Sequence, residues 1–414
     1  APGGDDDAVQ ALHSALHDGD GAVRLAAAKT LGTAVAQSGP LVDLLGDRYD
    51  YVRDGAADAL VELGDPAVAP LVQALGSARA SVRELAAVSL GRVGTVRAVR
   101  PLISLLSDTS PRIRTAAAEA LGHIRSTVAV EPLIEAVQDS APGVRVGAAA
   151  ALGAIGDARA VAPLIRTLRD ANVRVRTAAV AALGLLGAQT SGEAASRAAE
   201  ALLMAMRVES GVCSPSEAAE ALGRMGPVAV RPLLLLLRDT DARVRAAAIQ
   251  GLGATGAVEA AEALVGLLAD PNPKICAAVA LALLAFRDTE GAPEAVGALI
   301  EGLGNEDERV RARSAAAMGQ MVSGGSRGEL GPEVAVALGA ALTDTAPGVR
   351  VAAATALGDL RDPGSVDALI AAVADPSFDV RRAAAVALQR IRTPEALAAL
   401  RDTGPPIGGT GREL

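Results

Sequence analysis

One phrase returns along the whole chain. Asp139 is followed five positions later by Val144 and then by Arg145; a run of alanines leads to Leu152-Gly153 and on to Gly156. The phrase recurs as Asp170/Val175/Arg176/Leu183/Gly184, Asp239/Val244/Arg245/Leu252/Gly253 and Asp344/Val349/Arg350/Leu357/Gly358. Aligned on the Val-Arg pair, twelve units have anchors at Val23, Val52, Val82, Ile113, Val144, Val175, Ser214, Val244, Ile275, Val310, Val349 and Val380, most of them 29 to 31 residues apart. A unit of that length cannot bury its own apolar stripe, so it must stack on its neighbours. The 414 residues therefore read as one solenoid over residues 1-402, not as the roughly two or three globular domains that length alone suggests.

Each unit reads as two helices. The first carries a phrase such as Ala160-Val161-Ala162-Pro163-Leu164-Ile165, and the second runs from near the Val-Arg pair to the Leu-Gly pair. Val144, Ala148 and Leu152 are four apart, as one helix face requires. Gly153 and Gly156 suit helix termination and turns. Pro70, Pro101, Pro132, Pro163 and Pro232 share one position that reads as a first helical turn, where proline costs no internal hydrogen bond. Asp5-Asp6-Asp7 reads as the cap of the first helix. No run alternates with period two. The expectation is all-α: a right-handed α-solenoid of about twelve helix pairs.

Half of the residues are hydrophobic, but only Tyr49, Tyr51, Phe286 and Phe378 are aromatic. Alanine, valine and leucine must make the core. The net charge of -9 and the missing aromatic platforms argue against nucleic-acid binding. The longest aliphatic run, Leu233 to Leu237, is too short to span a membrane. Two cysteines, Cys213 and Cys276, make neither a disulfide framework nor a zinc motif. With no signal-peptide pattern at the N-terminus, the reading is a cytoplasmic protein with reduced thiols. No cofactor motif is visible.

The D-x4-V-R-x2-A-A-x-A-L-G phrase, preceded by A-V-x-P-L-I, resembles the HEAT-like repeat family, in particular the short phycobilisome-lyase-type repeat, from about Asp7 to Arg392. The resemblance implies the stacked-helix fold. Related repeats occur in bilin lyases, in protein-interaction scaffolds and in a di-iron hydroxylase that uses His-Glu pairs. Here His13, His17 and His123 are each followed by another residue, which disfavours the hydroxylase. His13 and His17 alone, four apart, offer two metal ligands at most, so no metal site is expected.

The acidic residue and the arginine read as a structural ladder of charge-assisted bonds within and between units, with Asp139, Arg145, Asp170, Arg176, Asp239, Arg245, Asp344 and Arg350 as its regular members. A ligand-binding arginine row is the other reading. Cys276 replaces a ladder arginine, which leaves Asp270 without a partner on this reading. In the seventh unit Ser214-Pro215-Ser216-Glu217 replaces the Val-Arg start and reads as a capping box, leaving Glu209 likewise unpaired.

The repeat is irregular around residues 188-226 and 288-335. Two steps are lengthened to 39 residues, with extra residues around Ala188–Ser196 and Val322–Pro332, and a disordered tail is expected over 403-414. If positions two, six and ten after each anchor face the concave side, the middle of the chain offers a weakly apolar groove of Val146, Ala150, Thr177, Leu185, Glu220, Arg224, Gln250 and Leu281. Such a stripe suits an apolar or amphipathic segment of another protein. The expectation is a noncatalytic scaffold. The alternative is an enzyme or chaperone-like lyase or isomerase acting on a small apolar molecule in the irregular central groove, with Glu209, Glu220, Arg224, Asp270 and Cys276 in its site, although no catalytic residue set is evident.

Overall fold

The computed structural model describes residues 4–35, 37–207, 213–288, 291–323 and 331–402. Among them there is no strand, and the helices follow in twelve pairs with a last helix, Pro394–Asp402, after them. The fifth repeat is representative. A single 3-10 turn, Thr127–Ala129, leads into Val130–Ala136, and Pro142–Ile155 forms the longer second helix. Val144, Ala148 and Leu152 are fully buried, as are Ile113, Ala117 and Leu121 one repeat earlier. Leu133 and Leu164 complete the layer from the first helices. Burying each leucine contributes roughly 1.5–3 kcal/mol, so packing carries the fold.

The two glycines of the phrase have different duties. Gly156 ends its helix in the left-handed region, with φ +78°, where a side chain is strained. Gly153 lies inside Pro142–Ile155 instead of terminating it. A Cβ there would stand 2.6 Å from the Cα of Ala182 in the next second helix. Gly122 against Ala151, Gly253 against Ala282 and Gly358 against Ala387 repeat the contact at 2.8 Å. The Leu-Gly pair is therefore a helix-packing signal, which lets neighbouring backbones meet.

Two further expectations change. Pro101, Pro132 and Pro163 stand in the first turn after a 3-10 segment, but Pro70 and Pro232 are interior to Asp65–Ala74 and Pro227–Leu236, because there the preceding turn joins the α-helix. The first helix starts at Gly4, so Asp5–Asp7 occupy its first turn and not its cap. Asp there still suits the positive end of the helix. The lengthening around Ala188–Ser196 is taken up largely by helices: the second helix of repeat six runs on to Gln189, and Glu193–Arg207 is continuous. Glu209, residues 324–330 of the second lengthened step and the tail expected over 403–414 lie outside the described residues.

The chain divides into two compact units, Ala1–Ala221 and Leu222–Leu414, with the division inside the helix Pro215–Arg224.

Candidate functional site

The ladder has a direction. Arg145 sits on the first turn of Pro142–Ile155, where its Nη1 donates to the carbonyls of Asp139 and Ser140 in its own repeat, at 2.8 and 3.1 Å. Its Nε and Nη2 grip the carboxylate of Asp170 in the following repeat at 2.7 and 2.9 Å. Asp170 also accepts the backbone N–H of Asn172 at 2.8 Å, which shapes the turn before the next helix. Both side chains are largely buried, 15% and 13% exposed. The Arg145 hydrogen bond, acting against burial and helped by the Asn172 amide, holds the Asp170 carboxyl below its ordinary value. Arg24–Asp47, Arg83–Asp108, Arg114–Asp139, Arg311–Asp344 and Arg350–Asp375 make the same bidentate rung. Arg176 donates to the carbonyl of Asp170 at 2.9 Å, and Arg245 donates to that of Asp239 at 2.9 Å.

This direction corrects one expectation. Asp270 does not lose its partner to Cys276, because its partner is Arg245 of the preceding repeat, at 3.6 Å. The acid that Cys276 would orphan is the one in the following repeat, and there the chain carries Asn305. Asn305 keeps the turn bond, accepting the amide of Asp307 at 2.9 Å. Arg313, at a position where most repeats have a small residue, fills the vacated space. Its Nη1 donates to the carbonyl of Leu268 and lies 2.7 Å from Cys276 Sγ. Cys276 is buried and its Sγ donates to the carbonyl of Asp270 at 3.2 Å. Cys213 is buried as well, and burial pushes its thiol up to about 11. Both cysteines are free thiols.

The start of the seventh repeat closes as a reciprocal capping box. The amide of Ser214 donates to Glu217 Oε2 at 2.8 Å, and the amide of Glu217 donates to Ser214 Oγ at 3.2 Å. Thr177 Oγ1 donates to Glu217 Oε1 at 3.4 Å.

The groove residues divide between the units. Val146, Ala150, Thr177, Leu185 and Glu220 belong to the first unit; Arg224, Gln250 and Leu281 belong to the second. In the first, Ala150, Leu185 and Glu220 are exposed, whereas Val146 and Thr177 are half-buried. In the second, Arg224 and Gln250 are exposed, and Leu281 is 69% exposed. The helix that carries it, Pro273–Ala285, has Lys274 as its one charged residue, and Ala277 and Ala285 are exposed one turn either side of Leu281. A helix apolar on nearly every side is ordinarily buried on every side.

His13 and His17 do not share a helix, since the first helix ends at Ala15; His13 Nε2 is 3.1 Å from Gln37 Oε1. Among the described residues no three His, Cys, Asp or Glu side chains form a metal-holding group, and no helix is long and apolar enough to cross a membrane.

Two cavities had no signal in the repeat phrase. One, of about 320 Å³, lies on the second-helix face of the last two repeats between Val351, Thr355, Val386 and Arg390. The other, of about 450 Å³, lies between the fifth and sixth repeats and is lined by Arg145, Arg166 and Arg169. Both form where side chains of neighbouring repeats meet, so no single repeat spells either out.

Stacked helix pairs joined by a directed Arg–Asp ladder and glycine contacts define an α-solenoid. The profile of HEAT repeats matches residues 38–121, 68–145, 130–211, 215–285 and 334–404, and the chain belongs to the HEAT repeat family. Among solved structures, the karyopherin Kap121p bound to Nup53p is similar at a TM-score of 0.55 and 16% identity, over 92% of this chain and 48% of that one. Yeast importin-beta (Kap95p) is similar at 0.51 and 14%, over 95% of this chain and 61% of that one. The chain thus spans about half to three fifths of the length of these karyopherins. The complex of CpcE and CpcF of phycocyanin lyase from Nostoc sp. matches at 26% identity and a TM-score of 0.35, over 56% of this chain and 92% of that one. No curated protein sequence matches the chain.

Proposed function

We propose that this protein is a noncatalytic scaffold that holds another protein on the exposed face of its second helices, with Leu281 as the principal apolar anchor in the second unit. The observation that carries this reading is the exposure of Leu281 on a helix with almost no polar residue. Leaving a leucine in water forfeits roughly 1.5–3 kcal/mol that burial against a partner would return. Gln250, on the preceding second helix, flanks that anchor with a polar group able to set the orientation of an amphipathic segment. Proteins of this fold hold protein partners in the solved complexes of Kap121p with the extreme C-terminus of Cdc14p and of Kap95 with Nup1. That likeness is one of fold, and the apolar face is what brings the reading to this chain.

The test is affinity capture from an extract of the source cells, with wild type and Leu281→Glu run in parallel and bound proteins quantified by mass spectrometry. A stoichiometric protein recovered by wild type should fall at least about tenfold in the variant, the loss of one apolar anchor worth ~1.4 kcal/mol. Helicity by circular dichroism should be unchanged, since Leu281 touches little of its own fold. Equal recovery by both proteins would remove this face from consideration.

A further inference from the structure

The charged side chains of the ladder are spoken for where the fifth and sixth repeats meet. In the cavity of about 450 Å³ between the fifth and sixth repeats, Arg145 spends its donors on Asp170 and on the carbonyls of Asp139 and Ser140. The Asp170 carboxylate is held by Arg145 and the Asn172 amide. Asp139, the other acid of the wall, is gripped by Arg114 at 2.7 and 2.8 Å and by the Ala141 amide at 2.7 Å. Its negative charge is therefore matched within the ladder.

Arg166 and Arg169 are different. Arg166 sits in the last turn of the helix Val161–Thr167 and Arg169 two residues beyond its end; both are exposed and line the cavity, and among the described residues neither guanidinium makes an ion pair or a side-chain hydrogen bond. The equivalent positions in the fifth repeat are Glu135 and Gln138, and in the fourth Ser104 and Ser107, so the double arginine is particular to this place. The amide of Gln138, exposed on the opposite wall, adds a neutral donor. The unspent hydrogen-bonding capacity here is thus overwhelmingly donor and cationic, in a chain whose net charge is -9. Guanidinium forks match the paired oxygens of phosphate and carboxylate groups.

We infer that this cavity is an oxyanion site, in which Arg166 and Arg169 bind a phosphate or clustered carboxylate group against the saturated Arg145–Asp170 rung. The site is independent of the apolar face around Leu281 and stands or falls without it. Such a group could arrive as a free small anion or on an acidic peptide segment, and the two sources make the same contacts.

The experiment is titration of the full chain at low salt with pyrophosphate and, separately, with a hexaglutamate peptide, by calorimetry and by NMR of the arginine Nε–H groups. Wild type should bind at least one probe saturably with the Arg166 and Arg169 signals shifting. The double variant Arg166→Ala/Arg169→Ala should lose at least about tenfold in affinity, since each charge-assisted bond is worth more than ~1.4 kcal/mol. Arg97→Ala/Arg100→Ala, a pair of exposed arginines with the same spacing two repeats earlier, should bind as wild type. Binding of pyrophosphate alone supports a free anion as ligand; tighter binding of the peptide supports an acidic segment. No binding of either probe, or an equal loss in both double variants, overturns the inference. Both pairs are exposed, and unchanged melting temperatures will show that folding is not what is read.

Discussion

Asp170 receives two hydrogen bonds from Arg145 and one from the Asn172 amide, and each bond is stronger to the carboxylate than to the acid. Its folded pKa lies below the ordinary value of about 3.9 that the unfolded chain would show. As pH falls, the unfolded chain takes up the proton first. The rung's contribution is fully present above about pH 5 and is lost as pH falls through the lowered folded value. Asp139, Asp344 and Asp375 are lowered for the same leading cause, their arginine hydrogen bonds, so the ladder as a whole weakens in acid. Asp170→Asn should cost about 2 kcal/mol at pH 7 by removing the charge that Arg145 grips. The gap between variant and wild type should close as the pH is taken below about 4. Urea unfolding at pH 7 and pH 3 measures it, and a gap independent of pH would mean that the rung acts through packing alone. The residues of the ladder were legible in the sequence because their types and spacing repeat. Their direction was not, since an arginine six residues beyond one acid and about 25 before the next could serve either. Cys276, Asn305 and Arg313 become intelligible together only when the arginine is seen to reach forward.

For the helices, the periodic apolar positions were enough to mark the regular second helices, because Val144, Ala148 and Leu152 need one face and no other element to define it; the seventh was marked by its capping box at Ser214–Glu217. The meaning of Gly153 needed the neighbouring helix. Glycine inside a helix costs roughly 0.5–1 kcal/mol against alanine in backbone entropy, and here the close approach to Ala182 more than offsets that cost. Gly153→Ala places a methyl 2.6 Å from the Ala182 Cα, with backbone on the far side and no flexible side chain to yield. It should therefore destabilise the first unit by about 3 kcal/mol. Gly297, inside the helix Ala292–Gly302, has nothing within 4 Å of where a Cβ would stand. Gly297→Ala should raise stability by about 0.5–1 kcal/mol. Chemical denaturation of the two variants checks the opposite signs. If both moved the same way, helix propensity and not interhelical distance would be the governing term.

At the scale of the molecule, repeats that lean mainly on their neighbours do not oblige one end to unfold with the other. Differential scanning calorimetry should give a calorimetric enthalpy larger than the van't Hoff enthalpy. Gly153→Ala should lower the transition of Ala1–Ala221 and leave that of Leu222–Leu414 in place; one two-state transition shifted as a whole would contradict this. The scaffold reading and the oxyanion site also belong to this scale, since each depends on side chains brought side by side from successive repeats. By itself the sequence determined the repeat, the helix pairs, the core positions and the residues of the ladder, because these are set by contacts within about one period of the chain. Only the tertiary structure decided which acid each arginine grips, why Gly153 is glycine, that Leu281 is left in water, and that Arg166 and Arg169 share a cavity. Those outcomes depend on the distance and rotation between neighbouring repeats, which the packing of whole helices sets and no single repeat encodes.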